Sequence, residues 1–279
     1  MTGWICLDID GTITADPFHT PIEVIEYFAM LYKEGWKFAF ITGRMLSFAQ
    51  MALQSIPFPY VLSVQNGADI LQMPQKKLLK QTYLSSHIFS ILDDLYQSIE
   101  EDYLVYSGWE LGDFCFYRPH KFSKVMKQHL DFMSSLSKEP WKIVDDFSLL
   151  KERMYPLIKC IGSQKQMQQL ALDLDQIPFI HATCIKDPTS KEGFYLNLIT
   201  HKNASKGAVI DYLRSKNPSS LFIGAGDDLN DIELLKSSDI SIAMENAPVT
   251  LKNYAKIIAK PASEQGIIFA LKQIIEGKI

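Results

Sequence analysis

The sequence predicts an α/β chain: a mostly parallel sheet with helices on both faces, interrupted midway by an α+β insertion. Three observations predict it. Short apolar runs end repeatedly in Gly, Asp, Asn or Thr, as buried parallel strands do at their carboxyl ends. Segments of helical spacing separate those runs. Between about residue 85 and residue 188 the alternation gives way to paired strands beside helices, which suits a second domain set into the first. With 279 residues, 47% hydrophobic and 22% charged, the chain can bury one large core or two ordinary ones, and global disorder is excluded.

Residues 3–10 form the first apolar strand, which runs into Asp8 and Asp10 and then Gly11-Thr12. A helix is predicted over 21–33, with Ile22, Ile25, Phe28, Ala29 and Tyr32 at helical spacing, Thr20 as its N-cap and Pro21 at its first position. Gly35 stops it. Residues 36–42 give a second strand ending in Thr42-Gly43-Arg44, residues 45–54 a helix, and residues 60–65 a third strand ending at Asn66-Gly67. Residues 68–73 and 77–83 read as a hairpin about Pro74-Gln75-Lys76.

The insertion then reads as helix (86–100), strands (103–107, 113–118), helix (122–137), strands (141–147, 155–162), helix (164–173) and a strand near 179–185, with the turn at Asp187-Pro188-Thr189-Ser190 as its exit. The core resumes with a strand over 194–200, a helix over 205–216 and a strand over 221–224. A helix over 228–237, a strand over 240–244 and helices over 248–255 and 266–276 follow. The expected division is therefore a core of 1–84 and 189–279 around an inserted domain of 85–188.

Charge and cysteine usage narrow the function. Twenty-eight basic against 32 acidic residues give −4, which argues against a general nucleic-acid binder. No apolar run approaches the roughly 18–20 residues that a membrane helix needs. The opening apolar stretch has no basic flank and is cut short at Asp8, so no signal peptide is expected. Cys6, Cys115, Cys160 and Cys184 are scattered without a CxxC pair, which disfavours a disulfide scaffold or a structural zinc and fits a reducing cytoplasm.

Open parallel sheets bind ligands beyond the carboxyl ends of their strands. Four strand ends carry polar signals: Asp8-Ile-Asp10-Gly-Thr12, Thr42-Gly43-Arg44, Asn66-Gly67 and Gly226-Asp-Asp-Leu-Asn-Asp231. One shared site accounts for all four departures from apolar strand sequence. Asp8 and Asp10 alone also read as turn residues, and Asp227 and Asp231 alone as helix N-terminal acids. Together, the acids at one rim need a cation. Oxygen ligands with no His or Cys nearby fit Mg²⁺ and not zinc. Of two neighbouring carboxylates, one can act as nucleophile and the other as general acid and base. Thr42, the Gly43 backbone and Lys206 are suited to an anionic substrate. Arg44 either contacts substrate or pairs with a local acid.

These segments resemble the haloacid dehalogenase superfamily of phosphatases, and within it the Cof-type branch, whose α/β cap lies between the second and third motifs. The resemblance rests on Leu7-Asp-Ile-Asp-Gly-Thr12, Ile41-Thr-Gly-Arg44, Asn66-Gly-Ala68, Ser205-Lys-Gly207, Gly226-Asp-Asp-Leu-Asn-Asp231 and Ala243-Met-Glu-Asn-Ala-Pro248. It implies a Rossmann-like core and a Mg²⁺-dependent phosphatase of a small phosphorylated metabolite such as a sugar phosphate. By the same resemblance Asp8 would be the nucleophile that forms an aspartyl-phosphate, and Asp10 the acid and base. Thr42, Gly43 and Lys206 would hold phosphoryl oxygens, and Asn230 would orient phosphate or Lys206. Asp8, the Asp10 carbonyl and Asp227 would hold the metal, with Asp231 as a ligand or support. Arg44 and Asn66 are added as substrate contacts. One departure is Ser263, where the family often carries asparagine.

The inserted region would choose the leaving group, with Trp109, Arg118, His120, Lys186 and Lys191 as its polar or stacking residues. Three alternatives stand beside this reading. A phosphomutase shares the aspartyl chemistry. A non-catalytic phospho-ligand module, such as a receiver, lacks the insertion and the GDxxND segment. A dinucleotide enzyme is disfavoured because Asp227 follows Gly224-Ala-Gly226 directly, where it would repel a pyrophosphate.

Overall fold

The structure, a computed structural model, describes residues 2–137, 139–150, 153–187 and 190–277. In chain order it opens with β1 (Gly3–Leu7), α1 (Ile22–Lys33), β2 (Lys37–Ile41), α2 (Leu46–Leu53), β3 (Tyr60–Val64), β4 (Asp69–Met73) and β5 (Lys77–Gln81). The middle comprises β6 (Leu84–Ser85), α3 (Ile88–Leu95), β7 (Tyr103–Tyr106), β8 (Cys115–Tyr117), α4 (Lys124–Ser135), β9 (Lys142–Ile143), β10 (Met154–Tyr155), β11 (Ile158–Gly162), α5 (Gln164–Leu174), β12 (Ile180–Lys186) and β13 (Tyr195–His201). The chain continues with α6 (Lys206–Lys216), β14 (Leu221–Gly226), α7 (Ile232–Ser237), β15 (Ile240–Met244), α8 (Val249–Lys252), β16 (Ile257–Ala259) and α9 (Gly266–Ile275).

Two compact units result. The first holds the chain through Arg44, Phe48–Gln81 and the chain from Ser205 onward. Its described strands form one sheet in the order β16-β15-β14-β1-β2-β3-β4-β5. Pairing is parallel from β16 to β3, and β4 and β5 add an antiparallel edge. β1 lies inside the sheet between β14 and β2, and every one of its residues is buried, which is why it reads as unbroken apolar sequence. The pleat of β2 sorts its residues by face. Phe38 and Phe40 pack with Phe28 of α1, while Ala39 and Ile41 join Trp4, Val209, Ile210 and Phe222 in another cluster.

The expected cap of α1 is corrected. Pro21 takes the N-cap place, its carbonyl accepting from the N–H groups of Val24 and Ile25. Thr20 lies outside the helix and donates its hydroxyl to the Ala52 carbonyl at 2.8 Å. Proline has no N–H to lose at a helix start, so either register suits it. The helix predicted over 228–237 begins as a single tight turn, Leu229–Asp231, before α7. β16 had no counterpart in the sequence reading; it is only three residues long.

The second unit holds Met45–Ser47 and Thr82–Ala204. Its main sheet runs β12-β13-β11-β7-β8-β9, antiparallel apart from β8 with β9, and β6 pairs with β10. The strand expected over 194–200 as part of the resumed core is instead β13, paired antiparallel with β11 and β12 inside this unit. The apolar alternation of 194–200 shows a strand but not its sheet, and the compact unit extends past the expected 188/189 boundary to Ala204. Pro188 and Thr189 of the expected exit turn lie outside the described residues. Arg118 is 3% exposed, and its guanidinium pairs with Asp102 at 2.6 and 2.7 Å and with Asp93 at 2.7 Å. It therefore ties this unit together and is spent as a surface contact. His120, Lys186 and Lys191 are exposed, and Trp109 is half-buried.

Candidate active site

Four loops at the carboxyl ends of β1, β2, β3 and β14, with the start of α6, supply the site. Asp8 follows β1, and its N–H continues the ladder to the Ala225 carbonyl of β14. Lys206 is the first residue of α6, behind Ser205, whose hydroxyl caps the helix by accepting from the Ala208 N–H. Lys206 is 2% exposed, and its Nζ donates to Asp8 Oδ1 at 2.6 Å and to Asp231 Oδ1 at 2.7 Å. Asp8 and Lys206 stand 198 positions apart in sequence.

Asp227 completes an acidic cluster. One carboxylate oxygen from each of Asp8, Asp227 and Asp231 lies within 4.8 Å of the other two. Gly11 permits this crowding: its φ is +68°, and a Cβ there would fall 2.0 Å from Asp227 Oδ2. Asp231 is committed on both oxygens. Oδ1 accepts from Lys206, and Oδ2 from the N–H groups of Asp227 and Asp228 at 3.0 and 3.1 Å. It thereby shapes the loop that presents Asp227.

The electrostatics follow from burial. Desolvation, reinforced by Asp231 and Asp10 and opposed by Lys206, pushes the Asp8 carboxyl up to about 8. Desolvation with Asp8 and Asp231 pushes Asp227 up to about 9. Burial alone would lower the Lys206 ammonium, but Asp231 and Asp8 outweigh it and hold its pKa above the ordinary lysine value. Carboxylates so placed repel unless protonated or bridged by a cation. Their oxygen-only donors fit a small hard divalent ion.

Asp10 faces a different partner. Arg44 grips it as a fork: Nε donates to Asp10 Oδ2 at 2.7 Å, and Nη2 donates to Oδ1. Arg44 Nη1 is fixed by the carbonyls of Pro17 and Phe48 at 2.6 and 3.2 Å, and its guanidinium stacks 3.9 Å over the Phe48 ring. The side chain is 4% exposed, against 45% for Asp10. Arg44 does pair with an acid, but with Asp10, 34 positions away, and not with a local one.

Thr42 is buried, and its Oγ1 accepts from the Arg44 N–H at 3.1 Å. Gly43 lies beside Asn66, whose Oδ1 would be 3.3 Å from a Cβ on Gly43. Asn230 Nδ2 donates to Asn66 Oδ1 at 3.2 Å, so Asn230 is oriented by Asn66. All ten expected site residues fall in the first unit. Two features escaped the sequence reading. The Arg44–Asp10 fork spans 34 positions and has no local pattern, and Gln65 is 1% exposed with neither amide atom partnered among the described residues.

The family pattern described as haloacid dehalogenase-like hydrolase matches residues 5–271. A phosphoglycolate phosphatase from Staphylothermus marinus is 22% identical over 276 residues, covering 96% of each chain. A haloacid dehalogenase-like hydrolase from B. subtilis superposes with a TM-score of 0.77 at 18% identity, covering 97% of this chain and 99% of that one. A subclass IIB sugar phosphatase of the superfamily superposes with a TM-score of 0.76 at 19% identity, covering 98% of both. With the family pattern spanning nearly the whole chain, and the acids, lysine and threonine of its motifs placed on adjoining loops, the chain belongs to the haloacid dehalogenase-like hydrolases, in the Cof-type branch.

Proposed function

We propose that the chain hydrolyses a small phosphomonoester, of the sugar-phosphate kind, through an aspartyl-phosphate on Asp8. The observation that carries this reading is the gathering of Asp8, Asp227 and Asp231 about the buried Lys206. Mg²⁺ is the proposed cofactor, held by Asp8, Asp227 and the Asp10 carbonyl, with Asp231 as support; when bound it supplies neutralisation of phosphoryl oxygens.

The residues divide the work. Lys206 occupies one oxygen of Asp8 and leaves the other to attack phosphorus, so an Asp8 O–P bond forms as the bond from phosphorus to the leaving oxygen breaks. Asp10 gives its proton to that oxygen. It then takes a proton from the water that attacks the phosphoenzyme, which frees inorganic phosphate and regenerates Asp8. Lys206, Thr42 and the Gly43 N–H neutralise or position the phosphoryl oxygens. Asn230 would orient phosphate or Lys206, with Asn66 accepting from its Nδ2 and so joining the turn after β3 to the acidic loop.

The phosphoglycolate and sugar phosphatases among the similar proteins support a small phosphorylated metabolite as substrate. We assign the second unit the cap role that the family resemblance implies. No described helix is long and apolar enough to cross a membrane. The placement in a reducing cytoplasm rests on the scattered thiols. The test is phosphate release from a panel of phosphorylated metabolites, with and without Mg²⁺. Release by the wild type and none by Asp8→Asn supports the reading. Equal release by both refutes it.

A further inference from the structure

Between Arg44 and Phe48 the chain makes a brief excursion: Met45–Ser47 belongs to the second unit, and the residues on either side belong to the first. Arg44 clasps both ends of it. Its Nη1 donates to the Phe48 carbonyl at 3.2 Å, and its guanidinium lies over the Phe48 ring. The same guanidinium grips Asp10, with Nε donating to Oδ2 at 2.7 Å. The place of residues 45–47 therefore governs the place of the fork.

Asp113, in the same unit as the excursion, holds it. Its Oδ1 accepts from the Leu46 N–H at 3.3 Å and its Oδ2 from the Ser47 N–H at 2.5 Å, across 67 and 66 positions of sequence. These two N–H groups open α2 and have no partner within the helix. A carboxylate at a helix start also meets the positive end of its dipole. Asp113 is 5% exposed, so water competes little for these bonds. Ser137 Oγ meets Met45 Sδ at 3.5 Å and accepts from Trp141 Nε1 at 2.6 Å.

Asp113 stands in a left-handed turn, with φ of +61° after Gly112 at +115°, and its N–H donates to the Gly108 carbonyl at 3.0 Å. Glycine takes such a backbone at less cost than any other residue. What aspartate adds there is its carboxylate, and both oxygens serve the start of α2.

We infer that Asp113 is a positioning residue for the reaction: by holding the first turn of α2 it sets Arg44, and through Arg44 the Asp10 carboxyl that protonates the leaving oxygen. The inference rests on the phosphatase reading above and extends its machinery into the inserted segment.

The experiment follows full-length protein on two aryl esters of similar shape. Phenyl phosphate has a leaving oxygen that needs a proton; p-nitrophenyl phosphate needs it much less. Asp113→Gly suits the turn and deletes the carboxylate. It should lower kcat on phenyl phosphate about tenfold and on p-nitrophenyl phosphate no more than about twofold. Added to Arg44→Ala, it should lower neither rate further, because both changes act on one fork. Asp113→Asn, which keeps one acceptor oxygen, should recover part of the phenyl phosphate rate. Equal losses on the two esters, or a loss that adds in full to that of Arg44→Ala, would show a helix cap and nothing more, and the inference falls. Should Asp113→Gly fail to fold, Asp113→Asn decides by the same split between esters. A wild type that cleaves only p-nitrophenyl phosphate has no protonation for Asp113 to govern, which also overturns the inference. A wild type that cleaves neither ester overturns the phosphatase reading as well, which separates the two failures.

Discussion

Lys206 illustrates how one side chain can hold a site together. Its ammonium is buried between Asp8 and Asp231, so removing it strands two carboxylates. Lys206→Met should therefore destabilise the fold by about 3–5 kcal/mol, the usual result of breaking a buried ion pair from one side; thermal or urea unfolding checks it. Asp8→Asn behaves oppositely. It removes one of three crowded carboxylates and keeps the group's shape, so the melting temperature should hold or rise while turnover falls by on the order of 10⁴-fold or more. Arg44→Ala frees Asp10 from its fork. Turnover of alkyl phosphates, which need a proton on the leaving oxygen, should fall by about 10²-fold, and turnover of p-nitrophenyl phosphate should fall much less. Equal losses on both would show that Arg44 matters to folding alone.

At the scale of elements, the turn after β1 and the turn after β14 are fitted to each other. Gly11→Ala would drive a methyl into Asp227 and force a strained backbone. The expected result is a rise of about 10–100-fold in the Mg²⁺ concentration for half-maximal activity, read from a metal titration. Much of this level was legible in sequence. β1, β2, β3 and β14 announce themselves because buried parallel strands admit few polar residues, so each polar strand end stands out. The sheet to which β13 belongs was not legible, because Tyr195–His201 alternates equally well for either unit and partner choice is a long-range property. The Arg44–Asp10 fork and the orphaned Gln65 amide were hidden for the same reason: both are facts of three-dimensional neighbourhood.

Across the whole molecule, the acidic cluster links stability to pH and metal. Asp8 and Asp227 have folded pKa values raised to about 8 and about 9 from an ordinary 3.8. A raised carboxyl stabilises the fold fully below its unfolded pKa, and that contribution is lost as pH rises through the folded value. Metal-free protein should therefore melt at progressively lower temperature between about pH 6 and 9. The proposed Mg²⁺ would compete with those protons, so it should raise the melting temperature more at pH 9 than at pH 6. Scans in EDTA and in Mg²⁺ across that range test both statements; a Mg²⁺ shift that shrinks as pH rises would contradict them.

The sheet order has a consequence for biosynthesis. β1 hydrogen-bonds on one side to β2, made almost at once, and on the other to β14, which begins at Leu221. At about 5–20 residues per second, a ribosome needs roughly 10–40 s to cover the intervening stretch. For that interval an apolar strand end, already carrying Asp8, has an open edge of the kind that invites wrong partners. The nascent chain must shelter that edge, and its acidic cluster closes around Lys206 only when its last third emerges.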